Sequence, residues 1–204
     1  MVLVLAIFLI VAGLGLVGAF AFSQQTPPVP SSSQDSSYIA PMHDNGGAET
    51  LPYAIPVSVH IPAIDVRAEV IALGQKEDGT LEVPSQDDAD KAAWYNNSPT
   101  PGQAGSSVVQ GHVDYVDQGP AVFFDLGRLT PGDTIEVTRE DGKTAVFTVH
   151  RTELHKREEF PTQQVYGSTD RPELVLITCG GDFNREADEF DSNTIIYSTL
   201  TEIR

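Results

Sequence analysis

The chain of 204 residues has one cysteine, one tryptophan, and no lysine or arginine before Arg67. A single thiol excludes an internal disulfide framework. Twelve basic residues against 29 acidic ones leave a formal net charge of −17. That balance excludes a basic face for phosphates, and so a nucleic-acid partner. It also excludes a polybasic patch for anionic lipid. The acid surplus reads first as solubility and second as attraction for cationic partners. The lone Trp94, beside Tyr95, reads as core or rim packing and not as a sugar platform. No glycine loop carries the lysine and spacing that cradle phosphate, and no internal repeat is present.

Metal binding is poorly served. One cysteine among scattered histidines gives no zinc spacing. The acids at Asp87, Asp88 and Asp90, and at Asp182, Glu186, Asp188, Glu189 and Asp191, lack the spaced pattern of a calcium loop. They read as solvated faces. A weak calcium site is left open, and no cofactor is expected.

Three regions follow from composition. Residues 1–22 form an apolar anchor or signal segment. Val2 to Phe22 is uncharged and long enough to cross a hydrocarbon core as a helix. Ala19-Phe20-Ala21 resembles a cleavage site, but the run exceeds a usual signal core, which favours an uncleaved membrane helix. With no early basic residue, the positive-inside rule has little to count. Residues 23–50, rich in Ser, Pro, Gln, Asp and Gly, read as a disordered tether. Residues 51–204 form the folded domain.

Within that domain short alternating runs predominate. Val57 to Ile61, Leu81 to Val83, Ser107 to His112, Thr134 to Thr138, Ala145 to Val149, Glu173 to Thr178 and Thr194 to Leu200 read as strands. Asp78-Gly79 reads as a turn, and Asp141-Gly142 as a hairpin. Asp87 to Trp94, with early acids and three alanines, is predicted as a short helix. Val122 to Leu129 is expected to hold one helical turn. Many short strands with one or two short helices point to a mainly β fold, a closed or nearly closed barrel.

The lone Cys179 ends the apolar run Leu174-Val175-Leu176-Ile177-Thr178 and is followed by Gly180-Gly181. A solitary exported thiol is either a buried hydrophobe or a nucleophile. The strand-like approach and the diglycine exit, placing the sulfur at a strand end, favour a nucleophile. A free thiol has a pKa near ~8.5, so it needs a partner imidazolium, which can also protonate a leaving amine. Five histidines could serve. His43 lies in the tether, and His60, His150 and His155 sit in or beside strands. His112 closes an apolar strand after Gly111 and opens a loop, where catalytic groups tend to sit. A third group must stabilise the oxyanion of the tetrahedral intermediate.

Leu176-Ile177-Thr178-Cys179 and Gln110-Gly111-His112-Val113-Asp114 resemble the two catalytic segments of the sortases, cysteine transpeptidases of Gram-positive cell walls. The likeness spans nearly all of Ile55 to Leu200 and includes Asp78 to Pro84, Ala93-Trp94-Tyr95, Gly119 to Phe123, Phe160 to Gly167 and Arg171 to Leu174. Together these segments are most similar to the class F sortases of actinobacteria. The resemblance implies an eight-stranded sortase barrel outside the cytoplasmic membrane, held by a single-pass helix. It implies that Cys179 attacks the Thr–Gly bond of a Leu-Pro-x-Thr-Gly-like sorting signal on secreted proteins. His112 would protonate the leaving amine. The thioacyl enzyme would pass to an amine of a peptidoglycan precursor, or to water. Thr178, Gly180 and Gly111 would contact substrate.

One departure stands out. Asp191 occupies the position where the family has an arginine. A carboxylate there cannot stabilise an oxyanion and would raise the thiol pKa. Arg185, six positions earlier, is the substitute suggested by the sequence. Two alternatives remain. An L,D-transpeptidase would need a different cysteine context, which Thr178-Cys179-Gly180-Gly181 lacks. A catalytically weak or inactive peptide-binding module would leave Cys179 inert, and Asp191 is what favours it.

Overall fold

The computed structural model describes residues 25–31, 49–115 and 119–204. The apolar segment 1–22 and most of the tether lie outside these residues. Among the described residues no helix is long and apolar enough to cross a membrane.

Eight strands close into a barrel, with β5 and β6 apart as a small two-stranded ribbon. In chain order they are β1 (Pro56–Ile61), β2 (Val66–Leu73), β3 (Ala92–Tyr95), β4 (Gly105–Gln110), β5 (Asp114–Tyr115), β6 (Gly119–Pro120), β7 (Thr134–Arg139), β8 (Thr144–Lys156), β9 (Pro172–Asn184) and β10 (Glu189–Ile203). Around the barrel the order is β1-β2-β3-β4-β9-β10-β8-β7, and closure back to β1 removes every open edge. The expected eight-stranded fold is therefore present. Most neighbours are antiparallel, but β2 pairs with β3, and β4 with β9, in parallel. Among the described residues helical content is slight: one α-helix, α1 (Thr162–Tyr166), and four short 3₁₀ turns.

Asp141-Gly142 makes the β7–β8 hairpin as its sequence predicts, with Gly142 at φ 80°. The 3₁₀ turn Phe124–Arg128 supplies the helical turn expected between Val122 and Leu129. The helix expected over Asp87 to Trp94 does not form. A 3₁₀ turn covers Gln86–Asp88, and Ala92–Tyr95 is strand β3. The alanines are small enough to be buried where β3 lies between β2 and β4, and this long-range pairing overrides their local helix preference.

Strand β9 explains the continuous apolar run. Leu174 and Leu176 face the barrel interior with Val59, Val109, Phe147 and Ile196. Val175 and Ile177 face outward, where Val165 of α1 and Phe160 cover them along with Val108 and Ile195. A strand covered on both faces has no polar side, so alternation is lost. Cys179 is not the end of this strand, contrary to the sequence expectation. The hairpin with β10 continues to Asn184, and a register shift between Phe190 and Ser192 absorbs Gly181 at φ 80°.

Two long-range fastenings complete the domain. The fully buried Arg139 guanidinium donates to the carbonyls of Pro101 and Pro52, the latter at 2.6 Å, and pairs with Asp141 at 3.0 Å. Separately, the Thr26-Pro27-Pro28 segment lies against the 124–128 turn. Pro27 is buried, and the Pro28 carbonyl oxygen would sit 2.0 Å from a Cβ placed on Gly127.

Candidate active site

Cys179 and His112 come from neighbouring staves. The parallel ladder of β4 and β9 runs to the Gln110–Ile177 pair, and the Gly111 N–H donates to the Ile177 carbonyl at 3.1 Å. Beyond this rung the chains diverge. Strand β9 carries on beside β10, with Cys179 opposite Asn193, while β4 turns away at Gly111. A cleft of about 290 Å³ opens there, lined by Cys179, His112, Asp114, Tyr115, Asn193 and Arg157. Phe183 and Phe190, edge to face at 5.1 Å, and the acids Asp188 and Glu189 form the rest of its wall with Val113.

The histidine is held from behind. The His112 carbonyl accepts from the Phe123 N–H, and the Val113 carbonyl from the Ala121 N–H, both at 3.0 Å. A Cβ on Gly111 would lie 2.6 Å from Val122 Cγ1 and 2.7 Å from Phe123 Cδ2. Glycine is thus required at 111 by close packing. His112 Nε2 lies 2.9 Å from the Pro84 carbonyl and 2.8 Å from the Tyr115 hydroxyl. Tyr115 gives its one proton to the Pro84 carbonyl at 3.0 Å. Nε2 of the neutral ring then carries the hydrogen, and Nδ1 is left as the basic nitrogen.

Alternation separates Cys179 from its neighbours. Thr178 lies on the inner side with Leu174 and Leu176, 4% exposed, and its Oγ1 has no hydrogen-bond partner among the described residues. Gly180 is also on the inner side, where a Cβ would meet Thr194 Oγ1 at 2.6 Å. Close packing therefore accounts for both Gly111 and Gly180. The sulfur points outward into the cleft.

Solvent reaches Cys179, yet protein surrounds most of the volume around its sulfur. Burial pushes the thiol pKa up, Asp114 and Glu189 push the same way, and Arg157 opposes them. The Asp114 carboxyl is itself raised by burial and held back by His112. A raised thiol is mostly protonated at neutral pH.

Asp191 does not act on the sulfur as its sequence position suggested. It accepts from Lys156 Nζ at 2.5 Å, Ser192 Oγ at 2.6 Å and the Asp182 N–H at 3.2 Å. The lysine, foremost, holds its carboxyl below the usual range. Asp191 is absent from the cleft wall. Arg185 sits in the exposed 185–188 turn between β9 and β10 and is likewise not among the residues that line the cleft. Arg157 lines it instead, entering from the β8–β9 connection and paired with Glu189. The sequence signal for Arg157 was faint, a Lys-Arg pair ahead of two acids at the end of an alternating strand. Among the described residues, no cluster of histidine, cysteine and acids could hold a metal ion.

The family description "Sortase domain" matches residues 59–201. No curated protein matches the chain. Among solved structures, sortase A from Corynebacterium diphtheriae is similar, at 17% identity and a TM-score of 0.54 over 74% of this chain and 62% of that one. Sortase A of Listeria monocytogenes aligns at 17% identity and a TM-score of 0.55, covering 75% of this chain and 90% of that one. A pilus-related sortase C of Group B Streptococcus aligns at 15% identity and a TM-score of 0.55, covering 79% and 76%. The chain spans less than two thirds of the Corynebacterium diphtheriae protein. At such identities these likenesses show the fold alone.

Proposed function

The chain belongs to the sortase family of cysteine transpeptidases, and from that premise we propose that it cleaves a Leu-Pro-x-Thr-Gly-like sorting signal between Thr and Gly and transfers the new terminus to a cell-wall amine. The observation that carries this reading is the pairing of Cys179 and His112 in one cleft, at the divergence of two parallel staves. His112 takes the Cys179 thiol proton, and the thiolate adds to the threonine carbonyl carbon as the C=O electrons move onto oxygen. Collapse breaks the C–N bond, and the glycine nitrogen takes its proton from the His112 imidazolium. The thioester that remains is attacked by an amine of a peptidoglycan precursor, which returns the sulfur, or by water. Sortases work outside the cytoplasmic membrane. Placement with the actinobacterial class F and anchoring by residues 1–22 belong to the same proposal, as do substrate contacts by Thr178, Gly111 and Gly180, through backbone groups alone because Thr178 and Gly180 face the barrel interior.

The test is acylation. A fluorogenic sorting peptide and intact-mass spectrometry should show turnover and a thioacyl adduct at Cys179. Cys179→Ala should abolish both, and His112→Ala should abolish turnover while leaving the fold intact. The raised thiol favours one rival, a peptide-binding module with an inert cysteine. Peptide binding without any adduct on folded protein would establish that rival.

A further inference from the structure

The tetrahedral step leaves a full negative charge on oxygen, and preorganised donors at that point are worth more than almost any other catalytic device. The Asp191 position cannot provide one, because its carboxylate is committed to Lys156. Arg157 is the one arginine or lysine among the described residues that line the cleft with Cys179 and His112. We propose that Arg157 is the catalytic cation of this site, donating its guanidinium hydrogens to the scissile carbonyl oxygen as it becomes an oxyanion, after release from Glu189. The proposal rests on the transpeptidase reading and adds a residue to it.

The framework around Arg157 supports that role. Lys156 is the last residue of β8, in register with Ser192 of β10. This register sets the point from which the 3₁₀ turn Arg157–Glu159 departs, with the Lys156–Asp191 ion pair beside it. A charge exchange across two strands results. The acid stands on β10, the base on β8, and the next residue along the chain is the one that enters the cleft. The Arg157–Glu189 pair is about half exposed on both sides. Exposed pairs are weak, so an incoming carbonyl oxygen can take the guanidinium from Glu189 at small cost. Arg157 also already opposes the acids that push the thiol up. No proton leaves the guanidinium. It binds the oxyanion by hydrogen bonds and releases it when the C–N bond breaks.

The experiment compares two reactions of the same sulfur: acylation by a sorting peptide in single turnover, and alkylation by iodoacetamide, which forms no oxyanion. Arg157→Ala and Arg157→Gln should lower acylation by about 10²–10³-fold. Alkylation at fixed pH should change only severalfold. Arg157→Lys should restore part of the loss, since it keeps the charge without the fork. Glu189→Gln should raise kcat/KM by up to about fivefold, the value of a weak exposed pair. Acylation within twofold of wild type in both Arg157 variants would overturn the proposal and leave the transpeptidase reading intact. Equal losses in acylation and alkylation would also overturn it, by making Arg157 a support for the thiol alone. If wild type forms no adduct, the underlying reading fails instead.

Discussion

Adding a single methyl group at Gly111 should damage stability and turnover together. The new Cβ would sit 2.6 Å from Val122 Cγ1 and 2.7 Å from Phe123 Cδ2. Carbon atoms rest at about 3.5–4.0 Å, so one side must yield by roughly 1 Å. Phe123 is fully buried in the barrel core and has little room to retreat. The strain therefore falls on both the core and the His112 loop. Overpacking of this kind costs about 1–3 kcal/mol. For a domain of this size that lowers the melting temperature by roughly 2–12 °C. The histidine follows Gly111 directly, and misplacing a catalytic group by about 1 Å can cost about 10²-fold in rate. Thermal melting and kcat/KM on the sorting peptide, measured on Gly111→Ala, read both quantities. A variant that melts within 1 °C of wild type and turns over within twofold would refute the claim that close packing at 111 sets the histidine.

Two further tests address charge. Because burial raises the Cys179 thiol, iodoacetamide alkylation at pH 7 should be slower than for a free cysteine of pKa about 8.5. It should climb about tenfold per pH unit until the raised pKa is reached, and Asp114→Asn should move that climb to lower pH. A plateau below pH 8 would contradict the burial account. Arg139→Ala should remove the clamp on the Pro52 and Pro101 carbonyls, at a cost of about 1–3 kcal/mol for each buried acceptor left unsatisfied. Chemical denaturation checks this, and a loss below 1 kcal/mol would show the clamp to be redundant.

The elements whose signals are local were legible in the sequence. Asp141-Gly142 fixed a hairpin because a two-residue turn needs little else. Cys179 and His112 stand out in the sequence because each follows an apolar run and sits beside a glycine, but only the resemblance to the sortases implied that the two meet. Ala92 to Trp94 falls within the predicted helix, since alanines after a run of acids mimic a helix start. Only the parallel partner β2, some twenty residues away, makes them a strand. Arg157 was hidden for a similar reason. Its route to the cleft depends on the β8–β10 register, which does not show in the residues around position 157. Asp191 looked like a defect in the site because its partner lay 35 positions upstream.

The contact between Pro28 and Gly127 ties the described segment 25–31 to the barrel. Leu51 is fastened to the body through the Gly102 carbonyl at 2.7 Å, and Pro27 is fastened beneath the 124–128 turn. Pro28 and Leu51 therefore lie on the same body. Tension applied at Gln25 would reach the turn that follows Phe123, whose N–H holds the His112 carbonyl.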